Sequence, residues 1–230
     1  MVRVPASSAR RPSQSSADVR PSLSLATLRE LLLRAPAPER QPHDDEEPAA
    51  AVALVLREGP AGVELLFIRR AERAGDPWSG HVAFPGGRRD AADDSLLRTA
   101  VRETREEIGL PLDEQGAELL TPLPAMHARA GGKRLSFSIA PFVFALHDAS
   151  APLVPDPREV DEVLWVPVER LASGEGRSVK VIEHDGVRHE LPAQLVGAHV
   201  LWGLSYAMME SLFGLVPSLR ALHSAARRAR

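Results

Sequence analysis

Short apolar or alternating runs dominate the middle of the chain, and two longer segments carry apolar residues at helical spacing instead. Ala51–Leu56, Val63–Ile68, Glu118–Pro122, Leu135–Phe144 and Val163–Val166 are of strand length and predict strands. The break Glu58-Gly59-Pro60-Ala61-Gly62 predicts a hairpin between the first two. A second hairpin is predicted from Val179–Glu183 and Val187–Leu191, joined through Asp185-Gly186. From Ser95 to Ile108 the period changes: Leu97, Ala100, Val101, Thr104 and Ile108 recur three and four residues apart, a helix with one apolar stripe that Gly109 stops. Leu25–Arg34 predicts a shorter helix with Ser24 as N-cap, and Gln194–Leu215 a long C-terminal one. The last is long enough to raise the question of a membrane span. His199, Glu210 and the interspersed Gly203, Ser205 and Gly214 favour a buried or partner-facing helix instead. The order predicts an α+β fold, a mixed β-sheet sandwiched between helices with an extra C-terminal helix. No internal repeat is visible.

Between these elements, residues 1–23 are rich in Ser, Arg and Pro without an apolar core, and are expected to be a disordered tail rather than a secretory signal. Residues 24–48 read as the short helix and an acidic, Pro-containing linker, leaving 49–230 as the main domain. With 230 residues, 44% of them hydrophobic, the chain is long enough for one good core. A net charge of -3 argues against a dedicated nucleic-acid binder, but small nucleotides stay open. Without cysteine there is no disulfide, thiolate nucleophile or Cys-bound metal, which fits a reducing cytoplasm. The Arg- and Ser-rich start also fits an organelle transit peptide, although no amphipathic period supports it. No membrane partner is expected. The oligomeric state stays open, a homodimer included.

The chemistry concentrates in Phe84-Pro85-Gly86-Gly87-Arg88-Arg89-Asp90 and Arg102-Glu103-Thr104-Arg105-Glu106-Glu107-Ile108-Gly109-Leu110. On a helix Glu103, Glu106 and Glu107 fall in one sector, expected to be an exposed patch away from the stripe, with Arg102 beside Glu106 to brace it. All three lie in the last two turns, where repulsion and the helix dipole both oppose negative charge, and a bound cation would relieve both. Carboxylate oxygens without Cys or His select Mg²⁺ or Mn²⁺. An acidic triplet alone is as a rule a solvated helix face. Here an apolar Val82-Ala83-Phe84 and a glycine turn precede the helix, a strand, loop and helix unit with acids at its far end.

From Gly87 to Leu110 this pattern resembles the Nudix hydrolase box. Asp93 stands where the box usually has Glu, and the stretch from Gly87 to Arg102 is one residue longer than the common spacing. The likeness extends from Ala51 to Phe213 and in detail is similar to the coenzyme A pyrophosphatase branch. It rests on Leu65–Ala71, Gly80–Gly87, Ile139–Val143, Glu159–Pro167 and Leu201–Ser205, whereas Glu72–Ser79 departs from that branch's arginine and glycine spacing. The resemblance implies metal-dependent hydrolysis of the diphosphate of coenzyme A or acyl-coenzyme A to 3',5'-ADP and (acyl-)4'-phosphopantetheine. Another nucleoside diphosphate derivative, such as ADP-ribose, a dinucleotide or a nucleotide sugar, is the alternative. A catalytically silent nucleotide-binding module is the third reading.

In that frame Glu103, Glu106 and Glu107 hold metal, with the Gly87 carbonyl as an additional candidate ligand. Arg102 positions a carboxylate. Glu159 is the candidate further ligand or general base, or else a strand-edge surface acid. Arg69, Arg70, Arg73, Arg89, Lys133 and Arg134 are candidate phosphate partners, although each alone is more simply a solvated charge. Trp78 and His81 are candidates to stack or donate in the pocket, and Trp202 is assigned to packing.

Overall fold

The computed structural model describes residues 23–36, 38, 49–76, 78–113, 116–130, 133–184, 186–216 and 219. The expected tail up to residue 22 and linker residues 39–48 lie outside the described residues.

In chain order the elements are α1 (Leu25–Leu33), β1 (Ala50–Gly59), β2 (Gly62–Arg70), β3 (Val82–Ala83), β4 (Gly86–Arg88), α2 (Leu96–Ile108), β5 (Ala117–Pro122), β6 (Met126–Ala130) and β7 (Lys133–Leu146). They continue with β8 (Val160–Pro167), α3 (Val168–Ser173), β9 (Arg177–His184), β10 (Val187–Val196), β11 (His199–Trp202) and α4 (Gly203–Leu215). The main sheet runs β3-β2-β1-β7-β5, with β4 pairing β1, β6 pairing β7 and β8 pairing β2. β1 and β7 are parallel and every other pair is antiparallel, so the sheet is mixed. Strand β1 shows how the sheet is sandwiched. Leu54 and Leu56 point into a core shared with Leu28 and Leu32 of α1, Leu171 of α3 and Met208, Met209 and Leu212 of α4. Ala51, Ala53 and Val55 point the other way, against Leu96, Ala100 and Ile108 of α2. The sandwich and the extra C-terminal helix are as expected.

Local chemistry explains most boundaries. The Ser24 side chain accepts from the Thr27 N–H at 3.2 Å and opens α1. Ser95 does the same for α2, and Gly109 closes that helix at φ 69°. The turn between β1 and β2 falls where Gly59 faces Gly62.

Three expectations are corrected. The helix expected over Gln194–Leu215 is a helix only from Gly203. Up to Val196 the chain is β10, it turns at Gly197 with φ 59°, and His199–Trp202 pairs back on it as β11. β-Branched Val196 and Val200 around a turn glycine suit that ladder better than a helix. Next, the buried face of α2 is Leu96, Thr99, Ala100, Thr104, Glu107 and Ile108, with Leu97 and Val101 only half-buried. The stripe is therefore rotated and carries Glu107 inward, so the three acids do not form one exposed patch. Finally, Gly86 and Gly87 are not in a turn but in β4, paired with Val52 and Ala51 of β1. At Gly86, with φ 150°, a Cβ would stand 2.2 Å from the Ala51 carbonyl oxygen, and only glycine permits that approach. None of the described helices is long and apolar enough to cross a membrane.

Candidate active site

Strand β4 lies alongside α2, and the two bring the box residues together. The Gly86 N–H donates to Glu107 Oε2 at 2.8 Å. Glu107 is only 1% exposed, and burial pushes its carboxyl up to about 8, against the opposing pull of the Gly86 N–H and Arg70. Arg70 Nη1 stands 3.9 Å from Glu107 Oε1. Glu103 is raised as well, burial outweighing the Arg102 guanidinium beside it. A Cβ on Gly87 would lie 2.5 Å from the Glu103 carboxyl carbon, so the glycine leaves room for that carboxylate against the β4 backbone.

Arg102 organises the acids. Its Nη1 is 2.9 Å from both Glu103 Oε1 and Glu106 Oε2, and its Nη2 donates to the Arg88 carbonyl at 3.1 Å. The other side of the guanidinium meets buried Asp93, Nε to Oδ1 at 3.0 Å and Nη2 to Oδ2 at 2.9 Å. Asp93 also accepts from the Thr99 hydroxyl and the Asp90 N–H, and Arg102 above all holds its carboxyl down at about 2. The shorter acid at this position thus clamps Arg102.

Opposite, the segment after β7 is latched to the end of α2. Val154 N–H donates to the Ile108 carbonyl at 2.8 Å and Asp156 N–H to the Glu107 carbonyl at 2.9 Å, which satisfies two terminal carbonyls of the helix. Glu159 follows directly. Its carbonyl accepts from the Ala71 N–H, and its carboxylate is 3.4 Å from Arg73 Nη2.

Several of these groups line a cavity of about 610 Å³. Glu103, Glu106, Glu107, Glu159, Arg70 and Arg88 supply the charged part of its lining, and the rest is largely apolar, with Trp78, Phe84, Ile139, Trp202, Leu204 and Met208. His81 lines it too, its ring edge-on to Trp202 at 5.0 Å between centroids. Burial, and next Lys180, hold its imidazole below the usual value.

Of the cations singled out from sequence, Arg70 and His81 therefore face the cavity. Arg69 is engaged by Glu72 and Asp161, and Arg89 donates to the Asp93 carbonyl; neither lines the cavity. Arg73 reaches it only through Glu159 and also donates to the Arg158 carbonyl. Lys133 and Arg134 lie in β7 opposite Ala130 and Arg129, with side chains outside the described part. Sequence reasoning missed Arg88 and placed Trp202 in packing, although its ring faces the cavity. Arg88 sits next to the glycines, a signal that was available. Trp202 had none, because its segment was taken as helix.

Among the described residues no three His, Cys, Asp or Glu side chains converge closely enough to hold one metal ion as they stand. Arg102 draws Glu103 and Glu106 to itself while the Gly86 N–H holds Glu107. The donor set nonetheless suits a hard divalent cation, because burial disfavours the charged forms of Glu103 and Glu107 by more than the neighbouring donors offset, and a cation would supply that compensation.

Comparison with known proteins gives the family. The sequence model of the NUDIX domain matches residues 46–184. The human mitochondrial coenzyme A diphosphatase NUDT8 is 35% identical over 166 residues, 71% of this chain and 67% of that one. The uncharacterized Nudix hydrolase NudL of Photorhabdus laumondii is 27% identical over 177 residues, 77% of this chain and 88% of its own. Among solved structures, a MutT/nudix family protein from Enterococcus faecalis aligns over 85% of this chain and 70% of its own, with a TM-score of 0.48 and 18% identity. With its domain match over more than half of its length and the acid-bearing helix set behind a glycine strand, the chain belongs to the Nudix family and is a pyrophosphatase-type hydrolase.

Proposed function

We propose that the enzyme hydrolyses the diphosphate of coenzyme A or acyl-coenzyme A with Mg²⁺ or Mn²⁺, releasing 3',5'-ADP and (acyl-)4'-phosphopantetheine. The observation that carries this reading is the mixed lining of the cavity, acids and arginines together with an apolar, aromatic wall. A diphosphate fits the first, and the two parts that flank it, the adenosine and the long, weakly polar pantetheine arm, fit the second. The similarity to a coenzyme A diphosphatase supports the same choice.

Glu103, Glu106, Glu107 and the Gly87 carbonyl would hold the metal. When bound, it neutralises phosphoryl oxygens and lowers the pKa of the attacking water. The protein supplies the rest. Arg102 keeps Glu103 and Glu106 on the same side of α2, with Asp93 fixing the guanidinium from behind. Arg70 and Arg88 meet diphosphate oxygens. Glu159, in the cavity wall and outside the Arg102 network, takes the proton from water.

Purified protein assayed with Mg²⁺ against coenzyme A, acetyl-coenzyme A, ADP-ribose, NADH and nucleoside triphosphates tests this. The highest kcat/KM is expected for coenzyme A or its thioester. A preference for ADP-ribose or NADH would make the enzyme a pyrophosphatase of another nucleoside diphosphate, and no turnover with any would make it a binding module.

A further inference from the structure

Through Trp202 the small β11-β10-β9 sheet contributes to the cavity wall, which sequence reasoning did not connect with the site. Trp202 of β11 pairs with Ala193 of β10, and Ala193 with Ser178 of β9, so these three side chains form a row on one face. Lys180 lies two residues along β9 on the same face. Its Nζ is 5.8 Å from the centre of the Trp202 ring, and Trp202 in turn is edge-on to His81. Both rings line the cavity. Among the described residues the Lys180 ammonium has no carboxylate partner, whereas Arg69, Arg70, Arg73 and Arg102 each do. A lysine over an aromatic ring of the cavity wall, with no carboxylate partner among the described residues, is placed to receive an anion.

We propose that Lys180, seated on Trp202, is a specificity-determining residue that binds a phosphomonoester on the substrate, remote from the diphosphate being cut. The chemical class is a nucleotide carrying a ribose phosphate besides its 5' diphosphate. This rests on the coenzyme A reading, in which that group is the ribose 3'-phosphate. The acids of α2 and Glu159 repel an extra dianion, so a place beside the Lys180 ammonium over Trp202 is where it is tolerated.

The test compares coenzyme A with dephospho-coenzyme A in wild type, Lys180→Met and Lys180→Arg. Wild type is expected to prefer coenzyme A about tenfold to 150-fold in kcat/KM, the worth of one charge-assisted contact. Lys180→Met should shrink that ratio at least about tenfold, chiefly through the KM for coenzyme A, and Lys180→Arg should restore most of it. An unchanged ratio in Lys180→Met, or an equal loss on both substrates, overturns the proposal. A second readout needs no turnover: calorimetric titration with adenosine 3',5'-bisphosphate and with 5'-AMP. Tighter binding of the bisphosphate by wild type, lost in Lys180→Met, supports the subsite, and equal binding by wild type overturns it. If coenzyme A is not hydrolysed at all, the functional reading falls, while the titrations still decide the role of Lys180.

Discussion

Arg102 is contacted by three carboxylates, and the buried one decides where the other two stand. Asp93 is 8% exposed and accepts from Arg102, Thr99 and the Asp90 N–H, so its lowered pKa is a contribution to stability. A depressed carboxyl stabilises the fold above its unfolded value of 3.8 and loses that contribution as pH falls towards about 2. Asp93→Asn is therefore expected to cost about 2 kcal/mol near neutral pH. The cost should shrink as pH falls from 4 to 2, as read by urea midpoints across that range. A deficit that does not change with pH would mean that packing, not charge, sets the contribution. Glu106→Gln and Glu107→Gln probe the site itself. Each should lower turnover at saturating Mg²⁺ by about two orders of magnitude or more while the protein stays folded. Near-wild-type rates in both would remove α2 from the active site.

At the scale of elements, the decisive contact is β4 against β1 and α2, made by two adjacent glycines with different duties. A Cβ on Gly86 would meet backbone, the Ala51 carbonyl oxygen and the Val52 Cα at 2.6 Å. A Cβ on Gly87 would first meet the Glu103 carboxylate, the far end of a flexible side chain. Gly86→Ala should thus destabilise the protein by about 2 kcal/mol or more, since β4 must leave β1. Gly87→Ala should leave the melting temperature within about 2 °C of wild type, yet lower kcat at least about tenfold by displacing Glu103. Melting curves and rates of the two variants separate these effects, and the reverse pattern would refute the assignment.

For the whole molecule, each face of one sheet has its own core, and the site is a cavity lined from α2, β4 and Trp202 of the small sheet. α1 belongs to this assembly: Leu28 and Leu32 are fully buried, and its N-terminus is held by Glu169 and Glu58, which accept from the Leu23 and Leu25 N–H groups. Leu28→Ala should cost about 3 kcal/mol, as large-to-small changes in a packed core do. Chemical denaturation checks this, and a loss below about 1 kcal/mol would mean that α1 is a peripheral addition.

Local information was enough for much of this. Short apolar or alternating runs marked the cores of β1, β2, β5, β7 and β8, because a strand buried on both faces is apolar throughout and a half-buried one needs a period of two. Ser24, Ser95 and Gly109 marked helix ends, because orphan backbone groups need side-chain or left-handed caps. Glycines followed by acids at helical spacing marked the site, because the chemistry demands those residue types. What required the tertiary structure was everything set by partners far along the chain. Which side of α2 is buried depends on where the sheet lies, so Glu107 went inward although its position on the helix was legible. β11 becomes a strand because β10 offers a ladder, which outweighs the helical spacing of its apolar residues. Arg69 and Arg89 turn from the cavity because Asp161 and the Asp93 carbonyl claim them first, and Lys180 comes to it only because β9 and β10 fold back beside Trp202.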